Sequence, residues 1–250
     1  HPLGDFDAAI EMCEQALDLA ETDDEVVDAL LLLFDALLGR GDLDGARGVS
    51  RRFPAGPFEN PSHTFLVGRA FYEVGEVDRA APLIEAVLKD QPKNPEAWYY
   101  LGLIRDEHED PSGATAAFLR SRELDLELPA PPWALSRETF EQRAQAAVES
   151  LDPSLRAFLR EGEVYVADVP GVEVVTDGVD PRALVLLDGV PAESPSGGIT
   201  ARVFVYQRNV ERLAGTVEAV EAEIGAALAR EITLAFVEPP PSGGKPSGLN

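Results

Sequence analysis

The residues able to do chemistry in this chain are few and unevenly placed. There are three histidines, His1, His63 and His108, and one cysteine, Cys13. The second half therefore has neither imidazole nor thiol, and a zinc site there would rest on carboxylates alone, which suit harder cations. A Ser-His-Asp set is not available, because His63 and His108 fall on helices of a packed array. Gly197-Gly198 and Gly243-Gly244 are not phosphate loops, since no Gly-Lys-Ser/Thr follows a strand. Asp177, Asp180 and Asp188 could surround a loop cation, but aspartate is also an ordinary turn former. Near the end, Arg230-Glu231-Ile232-Thr233-Leu234 places an acid on a helix, where it serves as a general base only if something activates a water.

Composition narrows the partners. The formal net charge is −24, with 21 basic and 45 acidic residues, and the isoelectric point is near 4.3. Such a field repels phosphate backbones and anionic membranes, so neither nucleic acid nor a membrane is an expected partner, whereas a basic peptide or protein patch is favoured. The acidity also keeps the chain soluble. A single cysteine cannot form an intramolecular disulfide, which fits a reducing, cytoplasmic setting. No apolar run reaches the length of a membrane span. The chain starts at His1 part-way into a structural unit, with no charged-then-apolar leader, so the expectation is a longer protein with at least one helix upstream.

The elements that position these residues announce themselves by period. Gly41-Asp42 recurs as Gly75-Glu76 and Glu109-Asp110; Ala46, Ala80 and Ala114 keep the same step of 34, as do Gly68 and Gly102, and Leu30, Thr64 and Trp98. A fixed period of this size marks stacked supersecondary units with an extended binding surface. Within them, Gly4 to Leu19 and Val26 to Leu38 have helical spacing. Gly41 ends one helix and Asp42 caps the next. Asn60-Pro61 and Asn94-Pro95 open two more. The small residues Gly68, Gly102, Ala46, Ala80 and Ala114 let paired helices approach closely.

These residues carry a family resemblance. EAWYYLGLIRDEHEDPSGATAAFLRSRELD resembles a tetratricopeptide repeat, with Trp98, Leu101, Gly102, Ala114 and Phe118 at signature positions. The preceding unit lacks the aromatic residue but keeps Val67, Gly68, Phe71, Ala80, Ile84 and Pro92. The unit from Ala29 departs further, with Phe34 in place of the small glycine and Ser50 in place of an apolar residue. The first unit has only its second helix, and a three-residue insertion falls near Glu21 to Asp24. The resemblance implies a right-handed helical array of about three and a half units, whose first helices line a groove for a peptide. The groove positions would be Leu31, Asp35 and Leu38, then Phe65, Arg69 and Tyr72, then Tyr99, Leu103 and Asp106. Asp35, Glu73, Asp106 and Glu107 would favour a basic ligand, with Phe65, Tyr72 and Tyr99 as aromatic anchors.

Leu126 to Pro132 is proline-rich and reads as the end of the array and a stiff linker. After it, Ser136 caps a helix from Arg137 to Glu149, and Asp152-Pro153 starts a short one. Val164 to Val169, Val172 to Val175, Ala183 to Leu187 and Arg202 to Tyr206 have strand composition, and Gly197-Gly198 marks a turn. Thr216 to Phe236 reads as one long helix, with Val220, Ile224, Ala227 and Leu228 inward. Residues 238–250, rich in proline, glycine and serine, are expected to be disordered.

This order, through ETFEQRAQAAVESLDPSLRAFLREGEVYVADVP, LVLLDGVP and ITARVFVYQRNVERL, resembles the minimal zincin-like metallopeptidases of bacteria. In that family the final helix carries HExxH. Here Arg230 stands at the first histidine, Glu231 at the glutamate and Leu234 at the second histidine. An arginine is cationic and a leucine has no donor, so the resemblance implies a module that has lost its zinc, with Glu231 paired to a nearby arginine and Leu234 in the core. The expected architecture is thus multi-domain: an all-α repeat solenoid over residues 1–128, a linker at 129–135, and an α+β zincin-like domain with a small sheet at 136–237. The expected role is a protein-binding scaffold without catalysis, cofactor or metal. The alternative is a divergent metal-dependent hydrolase using carboxylate ligands.

Overall fold

The computed structural model describes residues 6–58, 60–159, 163–191 and 199–237. The chain divides into two compact units, His1–Leu124 and Asp125–Asn250.

The first unit is helical: α1 (Phe6–Leu19), α2 (Asp23–Gly39), α3 (Leu43–Ser50), α4 (Pro61–Glu73), α5 (Val77–Asp90), α6 (Pro95–Glu107) and α7 (Pro111–Glu127), the last of which ends beyond Leu124. Its starts are fixed by side chains that accept orphan amides. Asp42 accepts from Gly45 N at 2.8 Å, Asn94 from Ala97 N at 3.0 Å and Asp110 from Gly113 N at 2.9 Å. Helix α2 begins three residues earlier than its apolar pattern predicts. Thr22 and Glu25 form a reciprocal capping box that draws Asp23 and Asp24 into the first turn. The turns between paired helices use a left-handed residue at matching positions: Gly41 at φ 81°, Gly75 at φ 82° and Glu109 at φ 59°. The last is the one non-glycine described with positive φ, and it carries the steric cost glycine avoids.

Packing inside each helix pair follows a size exchange. A Cβ on Gly68 would sit 3.0 Å from Ile84, and one on Gly102 would sit 2.4 Å from Phe118. The corresponding pair one unit earlier is Phe34 and Ser50, both fully buried. There the first helix supplies the bulk and the second gives way. Ser50 is buried without loss because its hydroxyl donates to Arg47 O at 2.9 Å and to Glu76 Oε1 at 3.1 Å. The departure of both positions from the repeat pattern is thus one compensated change. Around it Leu30, Leu33, Val67, Ile84, Ala80 and Ile104 form a continuous core.

The second unit is α+β. Helices α8 (Arg137–Ser150) and α9 (Pro153–Arg156) lead through a 3₁₀ turn to β1 (Val164–Ala167), α10 (Val172–Thr176), β2 (Val185–Pro191), β3 (Ile199–Tyr206), α11 (Gln207–Ala214) and α12 (Val220–Ile232). The sheet order is β1-β3-β2; β1 runs parallel to β3 with Val164 beside Val203, and β2 runs antiparallel with Val185 beside Val205. One face of this sheet, with Val185, Val203 and Val205, joins Phe140, Ala144, Ala147, Ile224 and Leu228 in the core, and α12 packs on α8. Ser136 caps α8 as expected, accepting from Thr139 N at 3.2 Å.

Two elements differ from the sequence expectation. Val172 to Val175 is a turn of helix, not a strand. It lies between the turns at Gly171 and Gly178 and buries Val175 among its residues; β-branched composition favours a pleated surface only where a neighbouring strand provides one. The helix expected over Thr216 to Phe236 is shorter, α12 from Val220 to Ile232 with a π turn after it, and α11 before Gly215 is a helix that the sequence expectation does not include. α11 ends at Gly215, left-handed at φ 67°, and the chain re-enters helix at Val220. Gly197-Gly198 and the 238–250 tail lie outside the described residues.

Candidate partner-binding face

In the first unit, α2 packs on α4 and α4 on α6, so the first helices form a row. Phe65, Tyr72, Tyr99 and Glu73 meet there around Tyr100, a residue outside the expected groove positions. Tyr100, 9% exposed, donates its hydroxyl to Glu73 Oε1 at 2.6 Å. Its ring takes edge-on contacts from Phe65 at 5.8 Å, Tyr72 at 5.6 Å and Tyr99 at 5.9 Å, the geometry aromatic pairs prefer. Burial, then the Glu73 carboxylate, holds its phenol well above the ordinary range, so it stays a donor. The signal for Tyr100 was adjacency: in EAWYYLG the second tyrosine lies outside the chosen groove register but within reach of all three anchors.

The acidic positions are partly committed. Arg69 Nη2 donates to Asp35 Oδ1 at 2.9 Å, joining α4 to α2, while Arg69 Nε is buried without a partner. Asp106 and Glu107 are exposed at the end of α6. The apolar groove positions Leu31 and Leu103 are core residues instead, 7% and 6% exposed. They lie on the side of α2 and α6 that turns into the helix stack. Beside this face, His63 is 2% exposed, with Nδ1 3.1 Å from Asp24 Oδ1 and Nε2 2.8 Å from Asp28 Oδ1. Both ring nitrogens are used in fastening α4 to α2. Cys13 is buried, and burial, with Glu14 second, pushes its thiol up, which makes it a poor nucleophile.

The other expected site lies at the end of α12. Arg230 is exposed and Glu231 half-buried. Burial raises the Glu231 carboxyl above its ordinary value, opposed by the charge of Arg230. Among the described residues Glu231 enters no ion pair, so the expected arginine partner is not there. Leu234 is 51% exposed rather than in the core. The reason is a π-helical turn over Thr233–Val237, which widens the helix and shifts its register. Phe236 packs instead, stacked on Phe158 at 5.3 Å. The zinc that the zincin resemblance would imply does not fit these residues. Arg230 is a cation, Leu234 has no donor atom, and the unit contains no histidine or cysteine. The loop aspartates serve local structure: Asp180 accepts from Arg182 N at 2.7 Å, Asp188 pairs with Arg202, and Asp177 caps α10.

Among solved structures, the chain is similar to the crystal structure of MamA, with 22% identity over 48% of this chain and 69% of that one, at a TM-score of 0.40. A MamA RS-1 double mutant gives 21% identity over 62% and 80%, at a TM-score of 0.42. BtubC from P. vanneervenii gives 13% over 99% and 96%, at 0.35. No curated protein matches the chain. The family model described as tetratricopeptide repeat matches residues 3–60 and 66–125. The N-terminal region of this chain is built of tetratricopeptide repeats.

Proposed function

We propose that this chain is a protein-binding scaffold, in which the row of first helices receives a basic, aromatic-tolerant peptide segment, and that its second unit is a metallopeptidase-derived module without metal chemistry. Tetratricopeptide repeats support a role in protein–protein interaction. The observation that carries the finer reading is the aromatic cluster centred on Tyr100. Phe65, Tyr72 and Tyr99 are only half-buried, so they offer ring area to a ligand while Tyr100 fixes their orientation. Glu73 accepts from Tyr100, Arg69 holds Asp35 on the neighbouring helix, and Asp106 is exposed at the end of α6. Rigid aromatic anchors beside charged groups are the arrangement that concentrates binding energy at interfaces. For the second unit, support comes from the order of its elements, helices before a three-stranded mixed sheet and a closing helix, with Glu231 on that helix at the place of the family's glutamate.

The test uses the full chain on an array of short peptides that carry lysine or arginine beside aromatic residues, with charge-reversed counterparts. Basic peptides should be retained at low salt and released as salt rises. Tyr72→Ala and Tyr99→Ala should each lose them at unchanged helicity by circular dichroism. Equal retention by both variants would move binding off this face, and preference for the acidic peptides would remove the basic partner. For the second unit, stoichiometric zinc in the purified protein, lost on Glu231→Ala, would revive the hydrolase alternative.

A further inference from the structure

The second unit contains two buried carboxylates treated very differently. Asp125, with its side chain 9% exposed, is met by two guanidinium groups, Arg182 Nε at 3.2 Å and Arg212 Nη1 at 3.0 Å. Glu211, on α11 and 2% exposed, is met by none. Its Oε1 accepts from the Leu135 amide at 3.0 Å and from Gln207 Nε2 at 2.9 Å, both neutral donors. Among the described residues no donor meets Oε2 and no cation pairs with the group, and Oε2 is open to solvent rather than sealed in protein. A buried carboxylate without a counter-charge is costly and needs a compensating partner.

Glu211 lines a pocket of about 280 Å³ whose walls all belong to this unit. The walls are largely apolar: Leu128, Pro129, Pro131, Trp133 and Val169. The two arginines at its margin are already engaged, Arg212 with Asp125 and Arg208 with the carbonyls of Leu126 at 3.1 Å and Leu128 at 3.0 Å. Pockets of this size at the small end of the ligand range, apolar with one or two converging polar groups, are the usual form of a small-molecule site. An indole in the wall adds affinity for a cation.

We propose that this pocket binds a small organic ammonium compound, an amine on an apolar or aromatic body, with the ammonium on Glu211 and the body against Trp133, Leu128 and Val169. The site is independent of the repeat face, and its failure would leave that reading intact.

Three probes of one shape and different charge decide it on the unmodified full chain: phenethylamine, phenethyl alcohol and phenylacetate. Binding is followed by the Trp133 indole N–H and Gln207 side-chain amide signals in nitrogen–proton spectra. The amine should saturate at least tenfold more tightly than the alcohol, and phenylacetate should bind more weakly than either. Glu211→Gln keeps the shape and the acceptor for the Leu135 amide, and should erase the amine's preference over the alcohol. Trp133→Leu should weaken amine and alcohol together. A carboxylate probe that binds as well as the amine, or an amine that never saturates, overturns the proposal, and neither outcome depends on a variant folding. If phenylalanine, the same amine with an added carboxylate, binds more tightly than phenethylamine, the pocket reads the anion and the proposal is overturned. If it binds less tightly, the site takes simple amines.

Discussion

Two regions of this molecule carry an arginine beside an acid, and they behave oppositely. On the repeat face, Arg69 and Asp35 lie one period apart and close an ion pair across neighbouring helices. On α12, Arg230 and Glu231 are adjacent in sequence and form none. In a repeat, each side chain faces its own counterpart in the next unit, so complementarity at one position is reinforced along the array. On a lone helix, neighbours in sequence point about 100° apart, so the Arg230 charge only partly offsets the burial of Glu231. Periodicity organises charge in the first unit. In the second, ion pairs such as Arg143 with Glu221 and Arg182 with Asp125 form between residues with no common spacing, and Glu231 enters none among the described residues.

The comparison can be broken or sharpened by substitution. The largest effect belongs to the size exchange. Phe34→Gly should destabilise the repeat unit by about 3–5 kcal/mol through the cavity it leaves. Adding Ser50→Ile should recover part of that loss, with a coupling above about 0.5 kcal/mol in urea denaturation of the two single variants and the double. Strict additivity would mean the two positions do not share a site. Next, Tyr100→Phe keeps the ring and removes the hydroxyl that meets Glu73. We expect a loss of about 1 kcal/mol and weaker peptide binding; an unchanged variant would demote Tyr100 from the centre of the cluster. Glu109→Gly relieves a left-handed residue where the two preceding units use glycine, and should stabilise by up to about 1 kcal/mol in thermal unfolding.

The smallest effect tests α12. The Glu231 carboxyl is raised in the folded chain, so the folded state holds its proton more tightly than the unfolded state. Its contribution to stability is therefore lost as pH rises from the ordinary carboxylate range through the raised folded value, and regained as pH falls back. Glu231→Gln should raise the melting temperature at neutral pH and match the parent in acid, with a modest difference because the group is half-exposed. A penalty for the glutamine at neutral pH would mean the charge has a favourable partner.

Much of the first unit was legible because its evidence is repeated. The left-handed glycines, the asparagine-proline starts and the close-approach glycines each recur at a fixed step, so a departure such as Phe34 is visible as one. What escaped was sideways information: that Tyr100, not Tyr99, is the hub, and that Leu31 and Leu103 face inward. Spacing assigns a helix face but not which edge of that face a neighbouring helix covers. The second unit offered a single copy of each element. Val172 to Val175 has strand composition but no strand beside it, and α11, eight residues between β3 and Gly215, is too short for its spacing to announce a helix. Leu234 is expected in the core from its place at the second histidine of the resembled motif, and a π turn after α12 moves it out. The Glu211 pocket draws on residues from 125 to 215, and no local pattern joins them.

The exchange of bulk between Phe34 and Ser50 also bears on how such a chain can be recombined. The compensated partners lie in the two helices of one pair, not in successive pairs. A crossover between α3 and α4 carries each partner with its mate and leaves every interior filled. A crossover between α2 and α3, set against α4 and α5, would bring Gly68 over Ser50 in one product and Phe34 over Ile84 in the other: a hollow and a collision. The safe breakpoints for shuffling this array therefore lie between whole hairpins.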